Sequence, residues 1–352
     1  MTDHGLNRDR SDQPGTPEKK FMHAFKKCLN FANIVGLFLG VITGLKILAG
    51  LITVRQFSID LPIHTILSIT LTLAVINLGL AYQTLAGVSL RPSVVWAMLA
   101  AILAAIGQAR ADTLIPGHPR EAIFTHLAFL ATLAALVSVL GARRPGEKAW
   151  AILCGLFIGI GLLPLLEGMA LSKRFDILDR LRLDSPWNWF LGLVIFAGIS
   201  NYIPTKHFKS SVVLGSGLVY HLILIWKPDG RAVWRGESWL ILPWCISMSV
   251  LLSAVRFRSR SGTPETDSFH ALWLPFRDAW GAAWALRVLE RFNQAAVKNQ
   301  WPMRLQWFGL YPLEHMSEEE LSAFDPAVAE STLAIFIRRF GDPDRIRKLG
   351  DH

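Results

Sequence analysis

Charge is what this chain has least of. Only 18% of its 352 residues are Asp, Glu, Lys or Arg, against about a quarter in an ordinary soluble domain. A chain so poor in charge cannot cover a surface wetted on every side. Cysteine is also scarce: Cys28, Cys154 and Cys245 are too few and too scattered for a disulfide framework or a thiolate metal site. Two of them fall inside apolar runs and read as small buried hydrophobes. The motifs G-x-x-x-x-G-K-[ST], H-E-x-x-H and G-x-S-x-G are missing, which removes the phosphate-cradling, zinc-protease and hydrolase-elbow readings. Strict alternation in ten-residue segments is missing too, so a lipid-facing β-barrel is excluded. Some thirty polar residues precede the first apolar run, which lacks a cleavage site and is expected to stay as an anchor.

Hydrophobicity is what is there. Apolar residues make up 52% of the chain, mean hydropathy is +0.36, and the apolar residues gather in stretches of roughly 18 to 25, the length that crosses about 30 Å of hydrocarbon as helix. Only a helix satisfies its own backbone groups in lipid, so these stretches are expected to be helical. The spacing predicts an all-α polytopic membrane helix bundle of about eight spans, followed by a small C-terminal α+β soluble domain. The spans are expected at Phe31 to Val54, Ile63 to Val88, Val94 to Ala111, Ile123 to Gly141, Ala149 to Leu171, Trp189 to Ile203, Val212 to Trp226 and Leu240 to Val255. Residues 1–30 read as a disordered basic tail, 31–255 as the bundle, 256–267 as a linker and 268–352 as a cytoplasmic domain. Gly36, Gly40 and Gly44 recur every fourth residue, as do Gly155 and Gly159; such small-residue faces let helices approach closely.

The net charge of +9 sits mainly beside the apolar runs, where anionic headgroups of a lipid bilayer, not nucleic acid, are the expected partner. An even number of crossings puts both termini on one side. Lys19, Lys20, Lys26 and Lys27 at one flank and Arg256, Arg258 and Arg260 at the other then place both in the cytoplasm of a multi-pass cell-membrane protein. Lys173, Arg174, Arg180 and Arg182 lie on the opposite side in this scheme, interleaved with apolar residues as in an interfacial amphipathic helix. Beyond the linker, Trp284, Val288, Leu289 and Phe292 form a helical stripe. Met303, Leu305 and Trp307 alternate like a short strand, Ser317 with Glu320 resembles a capping box, and Asp325 before Pro326 starts another helix.

Ionisable residues inside spans cost about 2.5 to 3.5 kcal/mol each at mid-membrane and so require a reason. Six stand out: Lys46, His64, Arg110, His126, Glu167 and His221. Counting crossings puts all six towards one face of the bundle, the outer one. Glu167 is the centre of this candidate ligand-binding pocket, because Pro164 cannot donate to the carbonyl of Ile160 and should kink the fifth span beside it. Its carboxyl group would either pair with Lys46 or Arg110 or take up a proton. His64, His126 and His221 could ligate a metal or haem, but no two have a ligand spacing such as H-x-x-x-H, so no cofactor is expected. The leading expectation is a transporter-like or carrier component that binds a small molecule, lipid headgroup or ion. A scaffold or assembly factor whose C-terminal domain binds a partner protein is the second reading, and a membrane-embedded enzyme the third.

Overall fold

The structure is a computed structural model that describes residues 17–52, 63–111, 119–142, 148–171, 185–226, 237–255, 268–314 and 317–350. The expected linker, 256–267, lies outside them. Eight apolar helices run in sequence: α1 (Pro17–Ile52), α2 (Ile63–Thr84), α3 (Arg91–Ala111), α4 (Pro119–Leu140), α5 (Lys148–Leu171), α6 (Ser185–Ser200), α7 (Phe208–Trp226) and α8 (Ile241–Ala254). Five of them contain stretches long and apolar enough to cross a membrane: Ala24–Leu48, Ile63–Thr84, Arg91–Gln108, Ile123–Leu140 and Phe208–Trp226. The apolar stretches described in α5, α6 and α8 are shorter.

Helix α1 starts at Pro17 rather than near residue 31, so residues 17–30 are helical where the composition suggested disorder. Proline suits a first helical turn, and Phe21, Met22, Phe25 and Leu29 then recur three and four residues apart among the lysines, a spacing that only a helix gathers on one side.

Six helices close a ring in the order α2, α3, α4, α6, α7, α8, with α8 returning to α2. Helix α1 lies outside the ring against α2 and α8, and α5 lies outside it against α4. The glycines of α1 explain the first contact. A Cβ on Gly40 would sit 2.2 Å from Met248 Sδ, and one on Gly44 would sit 2.4 Å from Trp244 Cζ2. Trp244 Nε1 donates to the Gly40 carbonyl at 2.7 Å. Asn33 and Asn77 exchange reciprocal amide bonds of 3.0 and 2.9 Å, tying α1 to α2. Among the described residues nothing lies within 4 Å of a Cβ on Gly155 or Gly159 of α5, and it is Gly161 that receives Leu130. The outward surfaces of the peripheral helices are apolar, with Phe31, Phe38, Leu45, Ile152, Leu156, Trp189, Leu193 and Phe196 all exposed.

The C-terminal segment builds α9 (Ser268–Lys298), the hairpin β1 (Met303–Gln306) and β2 (Gly309–Pro312), then α10 (Glu318–Ala323), α11 (Pro326–Ile337) and α12 (Pro343–Gly350). The strands pair antiparallel, Gln306 opposite Gly309. Asp325 caps α11 through Ala327 N, as the Asp-Pro pair implied. Helices α11 and α12 and both strands pack on α9. One hydrophobic cluster unites these elements with the bundle: Leu85, Val88, Leu90, Val139 and Ala142 pack with Trp273, Phe276, Trp280, Trp284 and Phe340. The expected soluble domain is therefore docked on the bundle through its largest side chains. A buried aromatic ring removes 150 to 250 Å² from water, on the order of 4–6 kcal/mol at ~25 cal/mol per Å² as an upper figure. Trp273, Phe276 and Trp280 are all fully buried.

Candidate functional site

The docked end of the bundle consists of the end of α2, the start of α3, the end of α4, the end of α6 and the start of α7. His126 lies thirteen residues before Val139, about 20 Å away at 1.5 Å per residue. The far end holds the histidines singled out in the sequence. His126 and His221 are buried with their ring centroids 5.8 Å apart, and Phe129 lies 4.7 Å from His221. His126 Nε2 is 3.3 Å from the Gly161 carbonyl of α5. Donation there makes Nε2 the protonated nitrogen, and Nδ1 has no partner among the described residues. His64 Nδ1 meets Gln108 Oε1 at 3.3 Å, and the His64 ring stacks on that of Trp239 at 5.6 Å. Lys46 is half-buried on α1, outside the ring. Arg110 and Glu167 belong to α3 and α5, but their side chains, like that of Pro164, lie outside the described residues. Among the described residues no three His, Cys, Asp or Glu side chains are grouped as metal ligands.

Nearer the docked end the ring is hollow. A cavity of about 330 Å³ is lined by residues of all six ring helices and by Ala279 of α9, and it stays partly open to the outside. Its walls are apolar except for Ser93, Thr132, Ser210, Ser211, Ser249 and Ser253, with Tyr202 and His207 at the lid; no Asp, Glu, Lys or Arg lines it among the described residues. Most of the hydroxyl protons are already committed. Thr132 donates to the Ala128 carbonyl, Ser211 to Phe208 and Ser249 to Ile246, and Ser93 donates to Ser138 and Ser253 to Ser210. What these side chains retain is lone pairs, so the cavity offers acceptors on an apolar, uncharged wall. None of these residues stood out in the sequence. The available signal was the recurrence of Ser and Thr inside apolar helices, a feature of helix interfaces in membranes.

The lid is held by groups that two sets of unsatisfied helix ends require. Gly281 breaks α9 with φ 74° and ψ −173°, a conformation essentially reserved for glycine. The helical segment that restarts after it exposes its first N–H groups. Asn201, at the end of α6, satisfies them: its carbonyl accepts from Ala282 N at 2.8 Å and its Oδ1 from Ala283 N at 2.8 Å. Its Nδ2 donates to the Trp280 carbonyl at 3.2 Å. In return, tryptophans of the C-terminal segment serve the bundle. Trp284 Nε1 donates to the Val139 carbonyl in the last turn of α4, Trp280 Nε1 to Ser89 Oγ, and Trp307 Nε1 to the Pro204 carbonyl, at 3.1, 3.1 and 2.9 Å. Tyr202 donates to the Ala279 carbonyl at 3.2 Å.

Next to the lid, Arg277 and Asp278 form a buried pair at 2.8 Å, and Arg277 also donates to the Trp307 carbonyl at 3.0 Å. His207, in the turn between α6 and α7, is half-buried. Burial pushes its pKa down to about 4; the Lys206 charge pushes the same way and Asp278 partly opposes both. His207 is therefore neutral at pH 7, and the cavity mouth carries no titrating charge there. Compared with known protein families, with curated proteins and with solved structures, the chain matches none.

Proposed function

We propose that this is a multi-pass membrane protein that holds an uncharged, mainly apolar small molecule inside its helix ring, as a transporter-like or carrier component. The cavity carries the reading: its size falls in the range of small-molecule sites, about 300 to 1,000 Å³. Its walls would reward a ligand with an apolar body and an N–H or O–H donor, and would exclude an ion, whose burial there has no counter-charge. In this reading the chain crosses the cell membrane about eight times with both termini cytoplasmic. The apolar outer faces of α1, α5 and α6 support lipid contact, and the even count of helices supports termini on one side. Of the far-end group of Lys46, His64, Arg110, His126, Glu167 and His221, we take the described His126 and His221 as a second polar layer rather than the main pocket, because they pack ring against ring with each other and with Phe129.

The scaffold reading, in which the spans only anchor a domain that binds a partner protein, is disfavoured by one observation. Most of the large aromatic residues of the C-terminal segment, Trp273, Phe276, Trp280, Trp284 and Phe340, are buried against the bundle, which leaves Phe308 and Tyr311 exposed. The side chain of Glu167, which the enzyme reading needs beside a histidine, lies outside the described residues.

The test is extraction. Wild-type protein purified from membranes should release a small molecule of low polarity in near-equal amount to protein, detected by mass spectrometry. Ala97→Phe, which fills the cavity from α3, should lose that molecule while the protein still inserts. Equal recovery from both proteins would refute this site.

A further inference from the structure

A second cleft lies between α9 and Arg339, just past the end of α11, and its chemistry is the opposite of the cavity's. Its volume is about 280 Å³ and it is lined by Trp284, Arg287, Glu290, Arg291 and Arg339. Three guanidinium groups against one carboxylate leave it strongly cationic. Arg287 and Arg291 stand one helical turn apart on α9, both exposed, and among the described residues neither is in an ion pair with a carboxylate. Two of the arginines are held over aromatic faces: Arg287 lies 4.9 Å from the Trp284 ring centre and Arg339 4.9 Å from that of Phe340. Trp284 and Phe340 themselves meet edge to face at 5.2 Å. Stacking of this kind fixes the plane of a guanidinium, and for Arg287, which is exposed, it leaves the N–H edge for an anion.

The position of the cleft names the level of that anion. Trp284 is bonded to the Val139 carbonyl in the last turn of α4, so the cleft opens beside the end of a helix long and apolar enough to cross a membrane. That is the depth of lipid phosphates, where basic pockets take up anionic headgroups. We propose that Arg287, Arg291 and Arg339 bind a phosphate-bearing anion at the docked rim of the bundle. Forked guanidinium donors suit the paired oxygens of a phosphate better than the single charge of a lysine would. The sources that fit are an anionic phospholipid headgroup and free phosphate.

The experiment uses the full chain in detergent micelles. In one arm phosphatidic acid and phosphatidylcholine are added in equal amounts and retained lipid is counted by native mass spectrometry. In the other, inorganic phosphate is titrated and the melting temperature followed. Phosphatidic acid should be retained in preference to phosphatidylcholine, and R287Q/R291Q should weaken that retention roughly 25-fold, at about fivefold for each basic residue removed near an anionic group. If inorganic phosphate instead raises the melting temperature of wild type but not of R287Q/R291Q, the cleft stands and free phosphate is its ligand. Should the double variant fail to fold, R287K/R291K decides, since it keeps the charge but not the fork and should bind several-fold more weakly. Equal retention of the two lipids with no response to phosphate, or binding that none of these changes alters, would overturn the proposal.

Discussion

The two halves of the helix ring solve the same problem in opposite ways. Towards the far end, polar groups are few and meet one another: His126 lies beside His221 and His64 meets Gln108, and the space between helices is filled with rings. Towards the docked end, polar groups are short hydroxyls that bond back to their own or neighbouring helices, and space is left open. Small side chains cannot fill the middle of a six-membered ring, so the hollow half needs a closure that the filled half does not. The C-terminal segment supplies it. The lesson is that the residues which matter most to the interior are outside it, at the break in α9.

That contrast can be broken from the lid side. The largest effect is expected from Trp280→Ala, which removes a fully buried indole and its bond to Ser89 Oγ. Losses of about 3–5 kcal/mol follow such truncations, read as a fall in the melting temperature of the purified protein and as new proteolytic cleavage within 268–350. Gly281→Ala comes next: its Cβ would stand 2.3 Å from Asn201 Nδ2 and 2.7 Å from the Asn201 carbonyl oxygen, and the backbone there adds about 1–3 kcal/mol of strain. The same two readouts apply, and unchanged protease resistance would mean that the kink is not what seats the lid. Asn201→Ala removes the side-chain cap of the restarted helix but keeps the backbone bond, and about 1–2 kcal/mol is expected.

A smaller effect comes from pH. His207 is neutral when folded, with its pKa pushed down to about 4 by burial, with Lys206 adding and Asp278 opposing. An unfolded histidine titrates near 6.5, so between about 6.5 and 4 the unfolded chain binds more protons than the folded one. Stability from this group is complete above pH 6.5 and is lost as pH falls towards 4. The melting temperature of wild type should decline over that window more steeply than that of His207→Gln; parallel curves would remove His207 from the account.

Much of the fold was legible in the sequence. Hydrophobic runs of crossing length located the eight apolar helices to within a few residues at most ends, because length and hydropathy are local properties. The Gly36, Gly40 and Gly44 face does pack against α8, while the same spacing in Gly155 and Gly159 meets nothing among the described residues. Periodicity identifies a smooth face but not what lies opposite it. The first half of α9 was missed even though Phe269, Leu272, Trp273, Phe276 and Trp280 have helical spacing, because Pro275 and Gly281 read as punctuation. Gly281 is indeed a break, yet one that Asn201 bridges from another helix, and no local rule signals a cap supplied from eighty residues away. The hydroxyl-lined cavity was hidden for the same reason: each serine or threonine is unremarkable on its own helix, and only closure of the ring brings five serines and Thr132 around one space.

The central claim is that the C-terminal segment covers the docked end of the cavity inside the ring. Its most direct measurement is the rate at which a small charged thiol reagent, added at the docked face, labels Ser211→Cys in a Cys28→Ser background. Cover at that end predicts slow labelling in that protein and labelling at least about tenfold faster once Gly281→Ala is added, by analogy with the tenfold per 1.4 kcal/mol that governs any opening equilibrium. Equal rates in the two proteins would contradict it.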